Sequence, residues 1–270
     1  MSESGKVLVI TSGKGGVGKT TTTANLGMAL AAQGHSVALV DADFGLRNLD
    51  LLLGLENRIV YNILDVLSGD CRLEQALVRD KRQNRLALLP AAQTRDKNAI
   101  TPDQTREITA QLAENFQYVL VDCPAGIEQG FRNAISGAHR AVVVTTPEVS
   151  AVRDADRVIG LLEAAGLKET ELIINRLRPQ MVKENNMMSV EDVLEILAIK
   201  LLGVVPEDEK VIVTTNRGEP IVLGETLSPA GQAYVNIARR IQGVSVPLMD
   251  LEGPAPNFLE RLRNLFGRKN

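Results

Sequence analysis

The sequence predicts an α/β fold: a doubly wound, mostly parallel sheet with helices on both faces. Three observations predict it. Short β-branched runs alternate with amphipathic helical patterns along most of the chain, which is the pattern of repeated βα units with right-handed crossovers. A glycine-rich loop bearing lysines, "SGKGGVGKTT" (12–21), separates the first run from the first helical pattern. The 270 residues are 44% hydrophobic but only 3% aromatic, without tryptophan, so the core is built from Val, Ile, Leu and Ala. Strands covered on both faces have that composition.

The elements follow in order. "KVLVIT" (6–11) reads as the first strand, and "TTTANLGMALAAQG" (20–34) as a helix stopped at Gly34. Strands followed by loops are predicted at 36–43, 85–91, 118–126, 140–148, 171–177 and 201–208. Helices are predicted at 101–116, 150–166, 189–200 and 228–243. The stripes "VIGLLEAAG" and "VLEILAI" read as core-facing. Ligands of such sheets bind at the carboxyl ends of the strands, and each motif below ends or follows a strand.

Within the loop, Gly13, Gly18, Lys19 and Thr20 fit Gly-x-x-x-x-Gly-Lys-Ser/Thr, with a strand before it and a helix after it. The glycines let backbone N–H groups turn toward phosphate oxygens, and the helix start adds positive potential. The predicted nucleotide contacts are Gly13, Lys14, Gly15, Gly16, Val17, Gly18, Lys19, Thr20 and Thr21. Lys19 neutralises phosphate, and the Thr20 hydroxyl coordinates magnesium. One lysine suffices for this chemistry, and Lys14 is a second. It follows the first glycine so closely that it can point outward, as an ordinary solvated lysine would.

Asp122 closes the apolar run "YVLVD", where an acid near magnesium is expected. "DADFGLRNLD" (41–50) follows the second predicted strand and brings Asp41 and Asp43. Spacing alone does not order the roles of these two. Arg47 and Asp50 read equally well as a solvated ion pair. Cys71 and Cys123 are far apart and form neither a disulfide framework nor a zinc spacing. Beside an acidic metal site Cys123 is expected as a small, buried, neutral thiol. His35 and His139 precede strands and read as turn or surface residues.

The segment "GKGGVGKT" resembles the deviant Walker A motif of the ParA/MinD family of P-loop ATPases. "GLRNLD", "LPAAQTRDK", "DCPAGIEQG", "TTPEVSAVRDADR", "MSVEDVLEILAIKLLGVVPED" and "NRGEPIVL" resemble its septum-placing MinD branch, in the same order. The resemblance spans residues 6 to 243 and the tail. It implies that Lys14 reaches across a dimer interface to the partner's nucleotide, so that ATP joins two subunits. It implies catalytic roles for Lys14, Lys19, Asp43 and Asp122. Asp43 would position the attacking water, and Asp41 would hold magnesium through water beside Thr20 and Asp122. Arg47 and Asn48 would lie on the dimer-facing switch. Asn175, Pro206 and Asp208 would hold adenine. The family has serine where Cys123 stands.

The chain divides into an ATPase domain (1–243), a linker (244–256) and a terminal helix (257–270). Three prolines and a glycine make the linker extended. In "NFLERLRNLFGRKN", Phe258, Leu259, Leu262, Leu265 and Phe266 fall within an arc of about 120°. Arg261 and Arg263 border that arc, where their stems can snorkel. An apolar face with basic borders reads as an interfacial membrane helix, and the family ends in such a sequence.

The expected function is therefore an ATPase, magnesium-dependent, that dimerises with ATP and places the division septum. The resemblance implies ATP and Mg2+ as cofactors, a MinC-like inhibitor and a MinE-like activator as partners, and an anionic membrane surface. The alternative is a ParA-type partitioning ATPase acting on DNA or other cargo. A net charge of −3 shows no electrostatic footprint for nucleic acid, so no specific nucleic acid is expected. An iron–sulfur reductase would need cysteines presented to a shared cluster, and neither cysteine suits that. Neither a signal peptide nor an apolar run near the ~20 residues of a membrane span is apparent. The expected location is cytoplasmic, peripheral on the inner membrane.

Overall fold

The computed structural model describes residues 4–44, 46–93, 100–249 and 251. β1 (Lys6–Thr11) runs through the glycine loop into α1 (Lys19–Ala32), and β2 (Val37–Asp41) follows. Three short helices, α2 (Leu49–Leu53), α3 (Ile63–Leu67) and α4 (Leu73–Ala76), lead to β3 (Val78–Arg79) and β4 (Leu86–Leu89). Then come α5 (Pro102–Asn115), β5 (Tyr118–Asp122), α6 (Gln129–Ile135), β6 (Arg140–Thr145), α7 (Val149–Ala164) and β7 (Glu169–Leu177). The last elements are α8 (Pro179–Lys183), α9 (Val190–Leu197), β8 (Lys200–Pro206), α10 (Glu209–Thr215) and α11 (Pro229–Ile241).

The strands form one sheet in the order β3-β4-β2-β5-β1-β6-β7-β8. All neighbours are parallel except β3 and β4, which make a short antiparallel edge. The predicted doubly wound sheet is thus present. Chain order reverses around β1, which lies between β5 and β6.

Alternation along each strand divides the core into two layers. Val7, Val9, Val40, Val119 and Val121 face α5, α6, α7 and α9. Leu8, Ile10, Leu39, Leu120 and Val142 face α1 and α11. Local chemistry starts the helices where the sequence indicates. Thr101 accepts from Gln104 N–H, with Pro102 in the first turn of α5. Ser189 does the same for α9 through Asp192. The helix predicted over 189–200 stops at Leu197, because Ala198 turns left-handed (φ 49°). Lys200 instead opens β8, and its Nζ donates to buried Glu171 at 2.6 Å. The two stripes are core-facing at Val158, Ile159, Leu162, Val193 and Leu197.

After α11, residues 244–249 carry neither helix nor strand. Arg240 donates to the carbonyls of Val246 (3.0 Å), Pro247 (2.7 Å) and Leu202 (2.9 Å), so this stretch is tied to β8. The predicted tail helix with Phe258, Leu259, Leu262, Leu265 and Phe266 lies outside the described residues. Among the described residues no helix is long and apolar enough to cross a membrane.

Close packing of α1 on β2 depends on Gly27, where a Cβ would lie 2.5 Å from Leu39 Cδ2. In the wild-type chain, Gly27→Ala sets a helix gain of about 1 kcal/mol against overpacking of about 1–3 kcal/mol. Leu39→Ala alone should cost about 2–5 kcal/mol. The double variant should therefore be more stable than Leu39→Ala, by its urea midpoint. An equal penalty from Gly27→Ala in both backgrounds would show that Leu39 is not what excludes a methyl group there.

Candidate nucleotide site

The glycine loop leaves β1 at the reversal of strand order, between the carboxyl ends of β5 and β6. Its shape depends on bare backbone. A Cβ on Gly13 would sit 2.2 Å from the Asp154 backbone, so the loop lies directly against α7. Gly16 (φ 80°) and Gly18 (φ 99°) are left-handed, and Gly18 caps α1. A Cβ on Gly18 would meet Asn175 Nδ2 at 2.3 Å. That amide donates to the Val17 carbonyl at 2.8 Å and holds the loop from the β7 side. Gly15 and Gly16 are exposed, whereas the Lys19 side chain is drawn in and only 8% exposed.

Sheet register places the acids. Asp41 and Asp122 are partners in the β2–β5 ladder, side by side at the strand ends, and both are buried. Burial, and then the charge of Asp122, raises the Asp41 carboxyl well above its ordinary range. Burial likewise pushes Asp122 up to about 6, opposed by the Thr20 hydroxyl, the Lys19 charge and the Thr23 hydroxyl. Thr23 Oγ1 donates to Asp122 Oδ1 at 3.2 Å. Asp41 accepts from the Asp43 N–H (2.9 Å) and the Leu49 N–H (3.4 Å), which ties the following turn and the start of α2 to it. Asp43 is close enough that its charge raises both carboxyls further.

These residues fit a divalent cation. Two buried carboxylates repel each other, and a hydroxyl stands beside them. Among the described residues no group of three or more His, Cys, Asp or Glu could hold a metal. A cation here would complete its shell with water and phosphate oxygens, as magnesium does.

A cleft of about 110 Å3 opens beside the loop and gathers Gly18, Thr21, Asn175, Pro206 and Asp208. The predicted adenine residues therefore converge. Two of them also brace the cleft walls. Asn175 Oδ1 accepts from Arg176 N–H at 3.0 Å. Asp208 caps α10 through Lys210 N–H (2.9 Å) and accepts from Ala230 N–H (3.4 Å). Its burial would raise its carboxyl, but the Ser228 hydroxyl and those N–H groups hold it below the ordinary range. Arg176, Val211, Ile212 and Tyr234, which sequence reasoning missed, also line the cleft. They come from three separate elements, and no local motif marks them.

Lys14 is exposed, and its Nζ donates to Ser150 Oγ at the start of α7 (3.1 Å). Arg47 and Asp50 do pair, at 2.7 Å, but the pair is not solvated: the side chains are 15% and 3% exposed. Arg47 folds back at φ 42°, while Asn48 is exposed. Cys123 is buried, and burial pushes its thiol up to about 12, so it is neutral. His139 Nδ1 accepts from Val7 N–H at 3.1 Å, and His35 stands edge-on to Tyr118.

Residues 8–221 match the CobQ/CobB/MinD/ParA nucleotide binding domain. The chain is 62% identical over 261 residues to a putative septum site-determining protein MinD of Guillardia theta, covering 97% of each. It superposes on a chain of the MinC:MinD cell division protein complex of Aquifex aeolicus with a TM-score of 0.85. That match is 53% identical and covers 90% of this chain and 98% of the other. The septum site-determining protein MinD of Pyrococcus horikoshii OT3, complexed with Mg-ADP, superposes with a TM-score of 0.79 at 32% identity. It covers 87% of this chain and 95% of the other.

The carboxylate pair makes a stability prediction. Asp122 in the folded chain holds its proton up to about 6 against an ordinary 3.8, so the fold loses stability as pH rises through that window. Without nucleotide or magnesium, Asp122→Asn should stabilise the protein at neutral pH by on the order of 1–3 kcal/mol. The gain should shrink as pH falls toward about 4. Thermal unfolding at both pH values checks this; a gain independent of pH would mean that the buried charge of Asp122 is not its source.

Proposed function

The chain belongs to the MinD family, and we propose that it is an ATPase that directs division-septum placement as an ATP-closed dimer on a membrane. The observation that carries this reading is the lateral Asp41–Asp122 pair facing the Lys19–Thr20 end of the phosphate loop. This arrangement suits phosphoryl transfer, which needs positioning and charge stabilisation more than covalent chemistry.

In this reading the loop N–H groups and Lys19 hold the β- and γ-phosphates. Thr20, Asp122 and, through water, Asp41 would hold magnesium. Magnesium, when bound, would neutralise charge on the β- and γ-phosphate oxygens. Asp43 orients the attacking water in line, on a turn kept in place by its own N–H to Asp41. Asn175, Pro206 and Asp208 hold adenine between the loop and α10.

Lys14 supplies the link to dimerisation. It stands on the outer side of the loop, where it donates to the neutral hydroxyl of Ser150. Exchanging that hydroxyl for a phosphate oxygen across an interface would be favourable, because both partners of the bond would then be charged. ATP then closes the dimer. Two tails on one dimer raise membrane avidity by about 10²-fold or more without a new contact. The Aquifex complex supports a MinC-like partner. The outer face of α7, with exposed Arg153, Asp156 and Arg157, is the surface we assign to it. A MinE-like activator completes the cycle.

Lys14→Ala should still bind ATP, since Lys19 and the loop remain. It should lose ATP-dependent dimerisation in light scattering and sedimentation with anionic liposomes. Deleting residues 257–270 should abolish sedimentation alone. A Lys14→Ala protein that dimerises with ATP would refute the trans role.

A further inference from the structure

The two halves of the site rest on helices that the sequence separates by about 160 residues but the fold joins. α2 begins at Leu49, whose N–H is held by Asp41, so it carries the turn containing Asp43. α10 supplies Val211 and Ile212 to the base cleft. The far ends of these helices meet backbone to backbone. Gly54 ends α2 at φ 61°, and Gly218 follows α10 at φ 66°. A Cβ on Gly218 would lie 2.7 Å from Gly54 Cα and 3.2 Å from the Leu51 carbonyl oxygen.

One guanidinium closes this joint. Arg82, in the β3–β4 connection, donates through Nη2 to the Leu53 carbonyl at 2.6 Å and through Nη1 to the Gly218 carbonyl at 2.9 Å. Buried Asp80 orients it: Arg82 Nε donates to Oδ1 at 3.1 Å and Nη2 to Oδ2 at 2.6 Å. The Arg82 N–H donates to Asp80 Oδ1 as well, at 2.7 Å. A planar fork is needed to serve two carbonyls and a carboxylate at once, and an ammonium cannot reproduce it. This expenditure of donors lies away from the phosphates, where the catalytic turn's helix meets the base cleft's helix.

We propose that Arg82 is a positioning residue that makes the rate of hydrolysis depend on the base: a purine filling the cleft fixes α10, and the joint transmits that order to α2 and the Asp41–Asp43 turn. The inference rests on the nucleotide reading above and deepens it. A base that fills the cleft poorly should still deliver its triphosphate to the loop but leave the turn less well placed, lowering kcat rather than only raising KM.

The test compares Mg-ATP and Mg-UTP hydrolysis at saturation, using the full chain, with Arg82→Lys and Gly218→Ala. Arg82→Lys keeps a cation on Asp80 and gives up the bridging carbonyl bonds. Gly218→Ala keeps Arg82 and pushes the helix ends apart. Wild type should turn over ATP roughly tenfold or more faster than UTP. In both variants the ATP rate should fall to near the UTP rate, the UTP rate should hold, and KM for ATP should stay within about threefold. Loss of both rates by one factor would reduce Arg82 to fold support and overturn the proposal. So would equal wild-type rates for the two nucleotides, or a change in KM alone. If either variant fails to fold, the other decides by the same criteria; if both fail, the joint serves the fold and the proposal falls. A wild-type chain with no ATP hydrolysis would instead remove the nucleotide reading itself.

Discussion

Two carboxylates held side by side at the ends of β2 and β5 set the terms for the nucleotide site. The ladder that pairs Asp41 with Asp122 also removes them from water; the charge of Asp122 raises Asp41 further, and nearby Asp43 raises both. Each unit of such a shift is worth about 1.4 kcal/mol between protonation states. The fold tolerates this because much of the surrounding chemistry answers it: hydroxyls from Thr20 and Thr23, the drawn-in Lys19, and two backbone N–H groups on Asp41. In the proposed reading a divalent cation carried in with phosphate would add positive charge to that balance, and binding and structural relief would be one event.

The parts that must assemble around this pair come from different places in the chain, and each is attached to another by a specific contact. Gly13 lies on the α7 backbone, Asn175 holds the Val17 carbonyl, and Asp208 caps the helix that walls the base cleft. Arg82 and the Gly54–Gly218 crossing join that helix to α2. A nucleotide touching the loop, the acids and the cleft therefore touches one connected frame. The exposed Lys14 is separate from it, resting on Ser150 at the start of α7. That separation suits the role across a dimer interface proposed for it.

Much of this was legible in the sequence, for identifiable reasons. Strands buried on both faces must be continuous apolar runs, so β1, β5 and β6 announced themselves. The phosphate loop is local, and its glycines answer backbone demands at Gly16 and Gly18 that only a residue without Cβ meets easily. Asp41 and Asp122 were found because each ends such a run. Their lateral pairing was not visible, since register between strands so far apart in sequence leaves no local trace. The same holds for Tyr234 and Arg176 in the cleft and for Arg82, which looks like any charged loop residue until Leu53 and Gly218 are brought to it. The short helices α2, α3, α4, α6, α8 and α10 and the antiparallel β3 were missed because they are too brief to show a period. Arg47 and Asp50 could be paired from their spacing, but only the fold decides that the pair is shielded from water.

The most direct test of the account is calorimetric titration of ADP into the nucleotide-free chain, with and without magnesium, repeated in Asp122→Asn. If the carboxylate pair is waiting for a cation, magnesium should tighten ADP binding at least about tenfold in the wild type, or about 1.4 kcal/mol. Most of that gain should vanish in the variant, while the magnesium-free affinity is kept or improved. Equal affinity with and without magnesium, or an undiminished magnesium effect in Asp122→Asn, would contradict it.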